Sequence, residues 1–194
     1  SYGSAVLFDS ARNRYLITRM KRILKRTVST LQYQLKKGAF SPEHFEVSFS
    51  VLEDLEAVNI ALTGEEKLRL RGRIDRVDTW REPGQNSPSV KDMIYVKVID
   101  YKSGSRDFSL AALYYGLQLQ LVVYLNAAVE LEQKEHPKAE VVPAAMLYYR
   151  VHDPIVEVEE EPDEDEEELV SRVQKELLGR LRMTGAVRSE EAVI

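Results

Sequence analysis

The chain has 194 residues, 44% apolar and 30% charged, with no cysteine and a net charge of −5. That length supports one domain with a sizeable core. The missing cysteines exclude disulfides, cysteine zinc sites, thiolate-held iron–sulfur clusters and a cysteine nucleophile. The three histidines, His44, His136 and His152, show no metal-ligand spacing in sequence. Any metal site is therefore expected to use mainly oxygen ligands, favouring magnesium, manganese or calcium over zinc.

The net charge averages over a strong asymmetry. Residues 1–40 carry nine Lys/Arg and one acid, whereas residues 151–170 carry eleven acids and no Lys/Arg. An acidic total therefore says little against a nucleic-acid partner. No apolar run approaches the roughly 18 residues of a membrane span, and no signal-peptide pattern opens the chain. The expectation is a cytoplasmic protein with no membrane partner. The opening "SYGSAVLF" reads as a cut inside a longer protein.

In chain order, residues 12–37 predict a long helix. Leu16, Met20, Ile23, Leu24, Val28, Leu31 and Leu35 recur at steps of three and four, and Gly38 is the expected stop. Arg19, Arg22, Lys25 and Arg26 lie largely off that stripe. They form either a solvated basic face or a phosphate-facing surface. Residues 44–51 alternate as a strand, and "AVNIALTG" suggests another. Residues 67–80 alternate again, with Leu68, Leu70, Gly72, Ile74 and Arg76 on one side. A polar loop follows over 81–92, then a strand over 93–102. Residues 109–133 predict a second long helix. Residues 140–150 read as a strand in which Pro143 argues for an edge or a bulge. Residues 157–168 read as an acidic loop, and 167–182 as a last helix. The expectation is a single α/β domain over 1–194 with a mixed sheet.

The chemistry gathers at "VIDYKSG". Asp100 and Lys102 are two apart, so they share the face that Val98 begins. A hairpin centred near residue 87 would bring Asp75 opposite residue 99 or 100. Two carboxylates that close need a cation. Lys102 could serve in a structural ion pair; a divalent metal would neutralise both acids and activate water against a phosphodiester. Downstream, Gln120 and Tyr124 are four apart and share a helix face.

Together "GRIDRVD", "VKVIDYKSG" and "YYGLQLQLVVYL" resemble the PD-(D/E)XK nuclease superfamily in its RecB-like branch, across most of residues 12–150. The resemblance implies a restriction-endonuclease-like α/β fold, a mixed sheet flanked by helices. It also implies an Mg²⁺- or Mn²⁺-dependent DNA nuclease. Asp75 and Asp100 match the metal-binding acids, with the Tyr101 carbonyl as a further ligand. Lys102 matches the catalytic lysine, and Gln120 and Tyr124 match the element that supports the site and contacts DNA. Arg73, with Arg19, Arg22, Lys25 and Arg26, is a candidate DNA contact. Glu46 falls where related nucleases often carry an upstream acid. The branch's usual upstream histidine ligand has no match, because His44 lies beside a strand.

The resemblance further implies DNA as substrate, a helicase partner subunit, and a role in processing double-strand breaks. Full-length members hold an iron–sulfur cluster through one cysteine before this region and three after it. That cluster is impossible in this cysteine-free chain: either the chain is trimmed between those cysteines, which its opening favours, or this member lacks the cluster. The rival reading is a catalytically silent nuclease-fold module that binds DNA or a partner. Loss of a site acid or the lysine would favour it, yet Asp75, Asp100 and Lys102 are all present. A regulatory acidic-tail protein would rest on residues 157–168 alone.

Overall fold

A computed structural model describes residues 10–50, 61–63, 66–67, 71–84, 91–104, 107–159 and 165–189. The expected Leu68–Leu70 part of the alternating pattern, residues 85–90 of the loop and residues 160–164 of the acidic block lie outside them. So do residue 51 and residues 57–60 and 64 of the two earlier strand expectations. The chain groups into two compact units, one of residues up to Gly38 with Arg150–Arg182, the other of Ala39–Tyr149 with the residues from Met183 on.

The first unit contains α1 (Ala11–Lys37) and α4 (Glu166–Arg180). Ser10 caps α1 by accepting from the Asn13 N–H at 3.1 Å. Of the expected apolar stripe, Leu16, Met20, Leu24 and Val28 are exposed, while Ile23, Leu31 and Leu35 are half-buried beside buried Thr27 and Thr30. Apolar residues occupy more than one side of α1, so the pattern could not say which side is covered. Asp165 caps α4, and Glu166, Glu167 and Glu168 fill its first turn. The acidic stretch is thus not all loop. Acids suit a helix N-terminus, where the backbone dipole is positive.

The second unit is built on a mixed five-stranded sheet in the order β1-β4-β5-β6-β7. Its strands are β1 (Ser41–Ser50), β4 (Arg71–Glu82), β5 (Met93–Lys102), β6 (Glu140–Arg150) and β7 (Thr184–Val187). Short β2 (Ala61–Thr63) and β3 (Glu66–Lys67) pair separately. The β7 strand has no counterpart in the pattern read from sequence. Four residues carry no readable alternation, and Gly185 is there because a Cβ would lie 2.1 Å from the Met146 carbonyl oxygen. Pro143 sits in a strand with neighbours on both sides, but β7 pairs only Ala145–Tyr148, so its flank is locally an edge.

The expected helix over 109–133 is two helices, α2 (Leu110–Tyr114) and α3 (Gln120–Glu135). The break is built by Gly116 at φ 73°, a left-handed conformation glycine adopts readily. Gln118 pins it, accepting from the Ser109 N–H and donating to the Asp107 carbonyl, both at 3.0 Å. The break places Gln120 at a helix start. One sheet face packs Val77, Ile94, Val96 and Val98 against Leu121, Tyr124, Ala127 and Ala128 of α3. The other face carries Tyr95, Val142 and Ala144 with Phe40, Trp80 and Met93.

Candidate active site

The pairing of β4 and β5 runs from Glu82↔Met93 down to Arg76↔Ile99. One residue further comes Asp75, on the rung of Asp100. There the ladder gives way to a side chain: the Tyr101 N–H donates to Asp75 Oδ2 at 2.8 Å. The partner rung on β1 is also irregular. Phe45 pairs Arg76 and Val47 pairs Ile74, but Glu46 between them adopts φ 54°. Alternation slips there. Ile74 and Val77, three apart, both join the core under α3, whereas Arg76 turns to the opposite face. The expected common side for Ile74 and Arg76 therefore does not hold. The slip frees Asp75 from regular pairing.

Asp100 is buried, with its side chain 4% exposed, and Lys102 Nζ lies 2.6 Å from its Oδ2. Burial pushes the Asp100 carboxyl up from its ordinary value; Lys102 opposes that, and the nearby Asp75 charge adds to it. No hydrogen bond of good geometry reaches Asp100 Oδ2.

Gln120 ties the group together from the first turn of α3. Its Oε1 accepts from Lys102 Nζ at 3.1 Å. Its Nε2 lies 3.4 Å from Asp100 Oδ1 and 2.8 Å from the Tyr124 hydroxyl. Tyr124 is braced edge-on by Phe49, with centroids 5.7 Å apart. Gly72 makes room for both rings: a Cβ there would lie 2.6 Å from Phe49 and 3.0 Å from Tyr124. Lys102 Nζ also sits 5.5 Å above the Tyr148 ring. Phe49 and Tyr148 carry no signal as site residues in sequence, because each comes from a strand distant in the chain.

Two carboxylates against one ammonium leave a net negative charge. Asp100 Oδ2 has no partner besides the Lys102 ammonium among the described residues. This hard-oxygen set suits a divalent cation of the magnesium class.

The remaining candidates lie elsewhere. Arg73 is exposed and pairs with Glu46 at 2.8 Å. Arg19, Arg22, Lys25 and Arg26 belong to the other compact unit. There Arg22 and Arg26 both grip the Asp153 carboxylate, which they hold below its usual range. Arg19 and Lys25 are exposed. His44 bonds Glu132 near the far end of α3, not the acids of this site.

The family model that matches is that of the PD-(D/E)XK nuclease superfamily, over residues 3–191. The chain is 42% identical over 194 residues to the B subunit of an ATP-dependent helicase/deoxyribonuclease from Lachnoclostridium phytofermentans, covering all of this chain and 14% of that protein. It is 40% identical over 189 residues to the protein of the same name from Alkaliphilus metalliredigens, covering 97% of this chain and 15% of that one. The counterpart from Clostridioides difficile is 36% identical over 189 residues, with the same coverage of 97% and 15%. The chain thus spans 14–15% of the length of these relatives.

Proposed function

The chain belongs to the PD-(D/E)XK nuclease superfamily, and on that premise we propose that it hydrolyses DNA phosphodiester bonds at Asp75, Asp100 and Lys102. The observation that carries this reading is the meeting of two carboxylates, Asp75 and buried Asp100, with a single ammonium where the β4–β5 ladder ends. Asp75, Asp100 and the Tyr101 carbonyl are the residues that would hold the metal, Mg²⁺ or Mn²⁺. When bound, such an ion offsets the paired acids, polarises a phosphate oxygen and lowers the pKa of water. Lys102 stabilises negative charge growing on the phosphate. Gln120 holds Lys102 and Asp100 in register, and Tyr124 holds Gln120.

Exposed Tyr114 and Tyr115, just before Gln120 in the chain, offer ring faces on which bases of a single strand can stack. Arg73 and the exposed basic residues Arg19 and Lys25 supply phosphate contacts. The names of the relatives support a parent that couples this nuclease to an ATP-dependent helicase. We place the chain in an AddAB-type assembly, resembling its AddB subunit, with an AddA-like partner that feeds unwound DNA to it as an exonuclease. Its work is then the processing of double-strand breaks for recombinational repair, in the cytoplasm. No helix among the described residues is long and apolar enough to cross a membrane.

The test is Lys102→Ala. Cleavage should fall by at least about 100-fold, the scale of a lost charge-stabilising group. Thermal melting should stay close to that of the parent. Cleavage that persists in proportion to the folded fraction would reduce Lys102 to a structural ion-pair partner and sink the assignment.

A further inference from the structure

At the other end of α3 a second constellation stands apart from the nuclease site. Twelve residues separate Gln120 from Glu132, or about 18 Å along a helix. Glu132 is fully buried, and its Oε2 has no hydrogen-bond partner among the described residues. Two imidazoles lie against it: His44 Nε2 is 2.9 Å from Oε1, and His136 Nε2 is 3.7 Å from Oε2. Glu135 Oε2 lies 3.7 Å from the same His44 nitrogen. The ligand atoms of His44, Glu132 and Glu135 all fall within 4.8 Å of one another.

We infer that His44, Glu132 and Glu135 form a binding site for a first-row transition cation of the zinc class, separate from the magnesium-class site of the nuclease. The donor set decides the class. One imidazole with two carboxylates suits zinc, whereas magnesium prefers oxygen and keeps its water. The spacing fits as well. Four ligands at zinc's bond lengths of roughly 2.0–2.2 Å stand about 3.3 Å from one another in a tetrahedron. The distances of 2.9 and 3.7 Å from the His44 nitrogen bracket that value.

Charge points the same way. Two carboxylates converge here, one of them out of water, and a buried carboxylate needs a cation close by. Arg81 on β4 donates from Nη2 to His136 Nε2 at 3.1 Å and to Glu43 at 3.3 Å. That leaves His136 at the rim, able to exchange Arg81 for a metal. Glu135 and His136 line an open groove of about 440 Å³ with Arg81, Asp92, Pro137 and Lys138, which supplies an entry path.

The experiment titrates cobalt(II), a coloured substitute for zinc, into the protein with excess Mg²⁺ present to occupy the nuclease acids. The parent should show the visible band of tetrahedral cobalt at one equivalent, displaced by zinc. His44→Ala and Glu135→Gln should each weaken binding by at least about tenfold. Asp100→Asn should leave it unchanged. Glu135 is 44% exposed, so its variant separates loss of a ligand from loss of fold. Zinc should also raise the melting temperature of the parent and Asp100→Asn alike. A parent without the band, a band that survives His44→Ala or Glu135→Gln, or one lost in Asp100→Asn would overturn the inference. In the first two cases the cluster is a His–Glu hydrogen bond and nothing more.

Discussion

β4 and β5 carry a charged cluster on each face of the sheet, built from similar residues with opposite consequences. On the face away from α3, Arg76 grips Asp78 through Nε to Oδ1 at 2.5 Å and Nη2 to Oδ2 at 2.7 Å. Lys97, paired with Asp78 across the strands, adds a contact of 3.1 Å to Oδ2. Arg76 also donates to the Tyr101 hydroxyl at 3.4 Å. One buried acid there meets two bases, and both its oxygens are bonded. On the α3 face two acids meet one base, and Asp100 Oδ2 has no partner besides the Lys102 ammonium among the described residues. The first arrangement is complete within the chain. The second is complete only with a positive ligand added. A buried acid with both oxygens bonded to bases specifies structure; two acids sharing one base invite a cation.

The largest expected effect breaks the cluster of Arg76, Asp78 and Lys97. Asp78→Asn leaves Arg76 and Lys97 facing each other without their shared carboxylate. Removing one partner of a buried charge group costs about 3–5 kcal/mol. Urea unfolding should show that loss as a lowered midpoint, and the nuclease should fail through unfolding. A variant that unfolds like the parent would mean the cluster is solvated and the contrast between the faces is false.

Next comes Gly72→Ala, which probes how tightly the unbalanced site is supported. The new methyl must displace the Phe49 and Tyr124 rings. Overpacking of this kind costs about 1–3 kcal/mol. It should also shift Tyr124 from Gln120, so cleavage by the folded protein should drop. Steady-state assays on the folded fraction would separate the two effects. Unchanged activity would show that the Tyr124–Gln120 brace does not matter.

The smallest effect has the opposite sign. Burial raises the Asp100 carboxyl above its ordinary value of 3.8, so the folded chain binds that proton more tightly than the unfolded one. The resulting stability is present below the unfolded value and is lost as pH rises through the raised folded value. At neutral pH the ionised Asp100 therefore opposes folding in the metal-free protein. Asp100→Asn should melt slightly higher than the parent at neutral pH, with the gap closing on acidification and on addition of Mg²⁺ to the parent. Cleavage should be lost throughout. A neutral-pH melt lower than the parent would show that the Lys102–Asp100 pair is net stabilising and the site is balanced after all.

Long, strongly patterned elements were readable from sequence. β5 occupies 93–102 as expected, because its apolar residues are buried on both faces and its ends are bounded by a polar loop and Ser103-Gly104. α1 ends at the expected glycine. The family likeness rested on short local spacings: Gly72 to Asp75 on β4, Asp100 to Lys102 on β5 and Gln120 to Tyr124 on α3. The chain alone could also place Asp75 near Asp100, since a hairpin register follows from its loop.

Tertiary structure decided the rest, for reasons local spacing cannot encode. The slip at Glu46 and Asp75 arises from two strands adjusting to one another. The break at Gly116 depends on Gln118 reaching back to Asp107 and Ser109. His44 and Glu132 are 88 residues apart in sequence, so their meeting exists only once β1 lies against α3. Which side of α1 is covered likewise depended on packing, since its apolar residues run along more than one side. The sequence by itself determined the chemical character of each residue and the elements it lies on. The sum of charges in each buried cluster, and so the difference between structure and site, was decided by packing, because burial converts a count of charges into an energy.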